Sequence, residues 1–480
     1  MALVGLSLVF VSLAGCDLRT ESNHGRVPSV VDPRGLEYAK QAGSVRLKTF
    51  PLPAGATTVS TAQSLSTLVS SAKPGTAFVL GTGVHRFESV VPKDGDSFYG
   101  QPGAVLSGAR VLSFTKDGTR WVATGQTQQG RAAGECRSDS PACQLPEDLF
   151  IDNVMLTRVT SLDRLTTGTW FFDHAAGRVM LADDPTGKTV ETSVTPTAFT
   201  GGARNVSIRG LTIEKYATPG QVGTINGDSG IGWVVEGNEI RFNHGTGVIL
   251  SDNGRIADNY IHHNGQQGVG GHGANLLVEH NEIALNNTAG FDEFWSAGGG
   301  KFAFAVGLTL RANFVHDNAG YGLWADIDCK DVTFEGNWLQ ANSQAGILYE
   351  ISKSGMIHDN RSIGNGAQGI YVNSSSNVTI AANWVESNGD GVWVLQENRG
   401  SGTYGPRETT DLDVHDNVIK NSGRTGLVQH VGDDSYFTSR NNRFQGNTYI
   451  GSGSLQWTDQ SLSPDAWRSY GLDTDGVFDA

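Results

Sequence analysis

Asparagine recurs through the second half of this chain at near-constant spacing. Asn238, Asn259, Asn281, Asn313, Asn337, Asn360, Asn383, Asn417 and Asn442 stand 21 to 25 residues apart, except for two intervals of 32 and 34. Each sits in the same local phrase, as in Glu236-Gly237-Asn238-Glu239-Ile240 and Glu335-Gly336-Asn337-Trp338-Leu339. A second asparagine follows most of them five residues later: Asn243, Asn264, Asn286, Asn318, Asn342, Asn365, Asn388 and Asn447. A fixed period of this size marks a solenoid, in which each coil buries its apolar face only against its neighbours. Two short apolar runs flank each phrase and leave no helix in the repeat. The expected fold is all-β, a right-handed parallel β-helix. Strands of successive coils stack about 4.8 Å apart, so each asparagine lies over its equivalent. Its amide can bond along the stack, and its backbone tolerates the left-handed geometry of a bend. The asparagines are therefore read as structure. The intervals of 32 and 34 are coils carrying loop insertions.

Composition agrees with a turn-rich solenoid: 63 of 480 residues are glycine and 18% are charged. The formal charge of −14 argues against a nucleic-acid partner. It leaves an anionic glycan open, because a bound cation reverses the local field. The first 16 residues form an apolar stretch ending in Leu13-Ala14-Gly15-Cys16, which resembles a bacterial lipobox. The resemblance implies a signal peptide, lipidation of Cys16 and anchoring to the bacterial cell envelope; the protein is expected to be a monomer. Nothing else in the sequence is apolar enough to span a membrane. Cys136 and Cys143 lie close together in a polar stretch, where export permits a disulfide. Cys329 is expected to be a small buried side chain.

Residues 17–55 are polar and suit a tether. Residues 56–110 hold a cap and the first coils, with a helix over 61–72 that Lys73-Pro74-Gly75 stops. The period is lost over 111–197, an expected inserted β subdomain. Coils resume over 198–450, and a tail over 451–480, with Trp457, Trp467 and Tyr470, is expected to fold over the last coil. The opening helix, its Pro-Gly stop and the asparagine ladder resemble the pectin-lyase-like β-helix superfamily. Gly299-Gly300-Lys301-Phe302, Gly322-Leu323-Trp324-Ala325-Asp326 and Gly346-Ile347-Leu348-Tyr349-Glu350 resemble bacterial right-handed parallel β-helix repeat proteins.

A glycine opens one strand of each coil and sets a register: Gly247, Gly268, Gly290, Gly322, Gly346, Gly369, Gly391 and Gly426. The next residue is always apolar, so that column points inward. Side chains alternate along a strand, so the columns two and four residues after glycine point outward. The first reads Ile249, Gly270, Asp292, Trp324, Leu348, Tyr371, Trp393, Val428, and the second Ser251, His272, Phe294, Asp326, Glu350, Asn373, Leu395, His430. Asp326, Glu350 and Asn373 thus fall on consecutive coils beside Trp324, Tyr371 and Trp393. Rings beside carboxylates and amides suit a polysaccharide groove.

Two chemistries fit. Asp326 and Glu350, about 5 Å apart by coil spacing, match the nucleophile and acid/base of a retaining glycosidase. Alternatively, Asp326, Glu350 and Asn373 are oxygen ligands for calcium, with Asp292 and Asp328 as further ligands. The family resemblance implies a lyase in which calcium acidifies a uronate and Lys301, His272 or His430 removes the proton. Lys301 is expected in an inserted loop over the groove, and Arg399 and Arg407 are expected to bind substrate carboxylates. His272 and His430 mark the ends of the groove. The resemblance favours the lyase slightly over the hydrolase, with a non-catalytic glycan-binding protein as the third reading.

Overall fold

One coil describes the rest. Tyr321–Asp326, Lys330–Glu335 and Trp338–Gln340 are three strands separated by corners. Ile347–Glu350, Lys353–His358 and Arg361–Ile363 form the next coil and run parallel to them. Leu323 pairs with Ile347, Thr333 with Met356, and Trp338 with Arg361. Repeated along the chain, this makes a three-faced parallel β-helix, which the computed structural model describes over residues 47–479. No helix among those residues is long and apolar enough to cross a membrane. Cys16 and most of the expected tether lie outside the described residues.

The inward column follows the sequence alternation. Val269, Leu323, Ile347 and Ile370 are fully buried, as are Ala325, Tyr349 and Val372 two residues on from the last three. The glycine beside them is needed for close approach. A Cβ on Gly322 would lie 2.5 Å from the Gly346 carbonyl oxygen, and one on Gly346 would lie 2.8 Å from that of Gly369.

The asparagines form two internal ladders. Asn313 Nδ2 donates to Asn337 Oδ1 at 2.9 Å and to the Val278 carbonyl at 2.9 Å, and Asn337 repeats the pattern on Asn360 and Leu310. One assignment changes. Asn417 donates to Asn447, not to Asn442, and the second ladder passes from Asn388 to Ser422. The short helix Ser435–Thr438 lengthens the last interval, so the true step is 30 residues. Asp473 ends the first ladder by accepting from Asn447 N and Nδ2 at 2.9 Å each. Asn337→Ala strands the Asn313 amide groups and the Leu310 carbonyl inside the wall. Each such group costs about 1–3 kcal/mol, so we expect a clearly lower unfolding midpoint by circular dichroism.

Both ends are covered. The helix is shorter than expected, Leu65–Ser71, because Ser64 caps it and the Glu88 carboxylate takes the Leu65 and Ser66 N–H groups at 2.9 Å each. Its Leu65 and Val69 plug the first coil. At the other end Trp457 and Trp467 pack around Phe444, whereas Tyr470 is exposed. Between Ala109 and Ser193 the chain leaves the helix to build an eight-stranded sheet around Leu149, Trp170, Phe172 and Leu181. Cys136 and Cys143 are disulfide-bonded, with Cα atoms 5.6 Å apart. Cys329 is free and buried, and burial pushes its thiol up to about 12.

Candidate functional site: a carboxylate pair on one face

Asp326, Glu350 and Asn373 each end a strand on one face, and Glu350 pairs with Asn373. The pairing of Ala325 with Tyr349 carries on to set Asp326 beside Glu350. The residue after each has left-handed φ: 38° at Ile327, 39° at Ile351 and 46° at Ser374. A β-branched residue is strained there, and such strain gathers where geometry is held for function. These corners fix the direction of the two carboxylates.

Each carboxylate has its own cation. Lys301 Nζ lies 2.9 Å from Asp326 Oδ2, donates to the Trp295 carbonyl at 2.8 Å and sits 3.5 Å from the centre of the Trp324 ring. Arg399 Nη1 lies 2.6 Å from Glu350 Oε1. The two carboxylates are only 11% and 12% exposed. Burial, and next the charge of Asp326, push the Glu350 carboxyl above the usual range, while Arg399 and Lys301 pull the other way. Tyr371 and Tyr321 border the pair, and burial raises both phenols far above their ordinary range. Asn373 Nδ2 donates to the Tyr371 hydroxyl at 3.1 Å and to Glu397 at 3.0 Å.

Arg399 belongs to a strap, residues 397–409, drawn across this face. A small hairpin in it, Ser401–Gly402 with Gly405–Pro406, is tied to Asp328. Thr403 donates to Asp328 through N at 2.9 Å and Oγ1 at 2.7 Å, and Arg407 pairs with it at 3.2 Å. On the opposite side the disulfide loop supports the segment that places Lys301. Arg137 N donates to the Gly290 carbonyl at 3.0 Å, and Asp292 N to that of Glu135 at 2.9 Å. His244 anchors the loop, with Nδ1 at 3.1 Å from Asp148 and Nε2 at 2.7 Å from the Cys143 carbonyl. Burial lowers the His244 imidazole, but Asp148 outweighs it and leaves the ring raised.

The sequence matches the family described as right handed beta helix region over residues 224–385. Among solved structures, XylC in complex with xylose superposes with a TM-score of 0.67 at 15% identity, covering 87% of this chain and 82% of that one. The right-handed parallel β-helix is thereby decided. The chain is a right-handed parallel β-helix protein. The A-module of the Azotobacter vinelandii mannuronan C-5 epimerase AlgE4 follows at TM-score 0.48 and 14% identity, covering 86% of this chain and 91% of that one. A GH87 α-1,3-glucanase from Streptomyces thermodiastaticus strain HF3-3 gives 0.46 at 12% identity, covering 90% and 70%. At 15% identity the likeness to XylC speaks to fold alone. No curated protein sequence matches the chain.

Several expected site residues of this β-helix protein sit elsewhere. Lys301 is in a strand, Gly298–Val306, between Gly270 and Trp324, not in an inserted loop. The insertion precedes that strand. Asp292 consequently leaves the outward column and caps the helix Glu293–Ser296, and Phe294 is 66% exposed. The last coil is shifted by two residues, since Leu427 pairs with Val394, so Val428 moves from the first outward column to the second, beside Leu395, while His430 falls beyond it and is exposed. His272 is exposed at a bulge between Gly271 and Gly273.

The rings are also partly taken. Lys301 covers Trp324, and Arg424 lies 4.4 Å from the Trp393 ring centre while pairing with Asp390. Tyr371 is half-buried. Tyr321, which packs on Trp324 at 4.9 Å, lies outside the alternation read from glycine, and Glu397 lies beyond the strand. Calcium does not fit the residues present. Asp326 and Glu350 already face an ammonium and a guanidinium, Asn373 Oδ1 accepts from Ser374, and Asp328 is held by Thr403 and Arg407. No cluster of three or more His, Cys, Asp or Glu suited to a metal occurs among the described residues.

Proposed function

We propose that this protein is an exported enzyme that hydrolyses a glycosidic bond in a polysaccharide at Asp326 and Glu350. The observation that carries the reading is a pair of neighbouring, nearly buried carboxylates on one face, each with its own cation, in which burial and the charge of Asp326 leave the Glu350 carboxyl raised despite Arg399. A carboxyl held above its usual range beside a second carboxylate can carry the proton of a general acid. A one-coil separation of about 5 Å suits retention of configuration.

Protonated Glu350 gives its proton to the leaving glycosidic oxygen as Asp326 attacks the anomeric carbon. The carbon–oxygen bond breaks and a glycosyl ester forms on Asp326. Glu350, now a carboxylate, takes a proton from water, whose oxygen displaces Asp326 and frees the sugar. Lys301 orients Asp326, and Tyr371 offers a ring and a hydroxyl to the bound sugar. Arg399 must leave Glu350 before substrate can reach the pair, so opening of the strap also frees the acid to hold its proton.

Activity then falls on the alkaline side as Glu350 ionises, above the ordinary glutamate range. Asp326, Lys301, Arg399, Tyr371 and Tyr321 are the charged or titratable groups around it. Arg399→Gln removes a cation that favours ionised Glu350 in the free enzyme, so the alkaline limb of kcat/KM, which reports the free enzyme, moves to higher pH. A limb that stays put or moves down excludes Glu350 as the acid. For stability, the raised carboxyl favours the fold below the ordinary glutamate range, and that advantage is lost as pH climbs through its raised value.

A second reading, β-elimination on a uronate-containing glycan, is supported by the two cations Lys301 and Arg399, since Arg399 is placed to meet a uronate carboxylate. A panel of neutral and uronate polysaccharides separates the readings. Hydrolysis gives new reducing ends with no ultraviolet absorbance, whereas an absorbing unsaturated product overturns hydrolysis. Binding without either product marks a non-catalytic glycan-binding protein. The proposal includes a lipid anchor on Cys16. Cys16→Ser should shift the protein from the membrane to the soluble fraction, and wild-type protein found soluble with unmodified Cys16 refutes the anchor.

A further inference from the structure

A cavity of about 330 Å³ lies away from the carboxylate pair, in the seam between the inserted sheet and another face of the helix. Small-molecule sites begin near this size and favour such seams. Glu191 and Asn153 of the inserted sheet meet Glu214, Lys215 and Arg241 of the helix there. Lys215 is 1% exposed and donates to Asn153 and Glu191, with Glu214 at 3.3 Å. Arg86 pairs with Glu191 at 2.7 Å and Arg241 with Glu214 at 2.8 Å.

This lining sorts ligands by charge. Three cations, Arg86, Lys215 and Arg241, face three carboxylates, Asp152, Glu191 and Glu214. The cavity therefore draws neither an anion nor a cation. Each carboxylate–guanidinium pair sets an acceptor beside a donor, which a hydroxyl meets by donating to one and accepting from the other. Charge-assisted bonds of this kind are strong. Val84, 42% exposed, and Val105 supply an apolar wall for the C–H face of a sugar ring. We propose that this cavity binds a neutral sugar, one pyranose or a disaccharide, independently of the groove at Asp326 and Glu350.

Saturation-transfer NMR on the full chain tests it, with glucose, galactose, mannose, xylose, their disaccharides, glucuronate and inorganic phosphate as probes. At least one neutral sugar should receive saturation from wild type and from Asp326→Asn alike, so a failed groove assignment leaves this result untouched. Val84→Trp fills the cavity without touching an ion pair and should weaken that signal about tenfold, or 1.4 kcal/mol. Thr189→Trp, from the opposite wall, should do the same and serves if the first variant misfolds. The proposal is overturned if no neutral sugar gives a signal, if the signal survives both fillings, or if glucuronate or phosphate outcompetes every neutral sugar.

Discussion

Glu350→Gln and Asp326→Asn each lower turnover of the true substrate by about 10²–10⁴-fold or more, the range that a positioned acid or base supplies. The thermal midpoint stays near wild type. Both side chains stand on the outward face and contribute nothing to the core. Both amides keep the carboxyl shape, so the strand and its corner persist. Arg399, 27% exposed, can turn to water when Glu350 loses its charge, so no buried cation is stranded there. Lys301 keeps the Trp295 carbonyl and the Trp324 face when Asp326 is neutral. Reducing-end release with matched melting curves checks both halves of the expectation. Full activity in both variants would remove the groove from the reaction.

Ile347→Asp has the largest expected effect on stability. Ile347 is fully buried between Leu323 and Ile370 of the adjoining coils. An aspartate there has no partner, and whether it ionises or is forced neutral it loses its water. The cost is about 4 kcal/mol or more, at the extreme of single substitutions. In a solenoid the coil that fails is also the support of its two neighbours. We expect insoluble protein or a midpoint many degrees lower. Met356→Asp is the control. Met356 is one coil face away and 48% exposed, and its change should stay within about 0.5 kcal/mol.

The parts of this architecture that repeat were legible in the sequence. Leu323, Ile347 and Ile370 share a column because every coil must place an apolar residue there. Asn313, Asn337 and Asn360 share another because a ladder needs the same amide at each step. Asp326, Glu350 and Asn373 inherit their alignment from those columns. The glycine register sets Lys301 in a loop because Gly290-Phe291 imitates the glycine–apolar pair that opens a strand, whereas in the true strand, Gly298–Val306, the matching pair is Gly299-Gly300. Gly300 takes the inward place of Leu323, where a Cβ would come within 2.6 Å of Val269, and the Phe302 ring fills the core nearby. The two-residue shift at Val428 and the step from Asn417 to Asn447 have a similar origin, since short insertions leave no periodic mark. Ion pairs across coils, such as Arg399 with Glu350, join residues 49 positions apart through a non-repeating strap, and no local pattern carries them.

Proton NMR of the first product released from a glycan of known anomeric configuration tests the central claim most directly. A carboxylate pair one coil apart, with Asp326 as nucleophile and Glu350 as acid and base, predicts that the new reducing end first appears with the configuration of the bond that was cleaved. An inverted first product, or an unsaturated uronate in its place, would contradict the account.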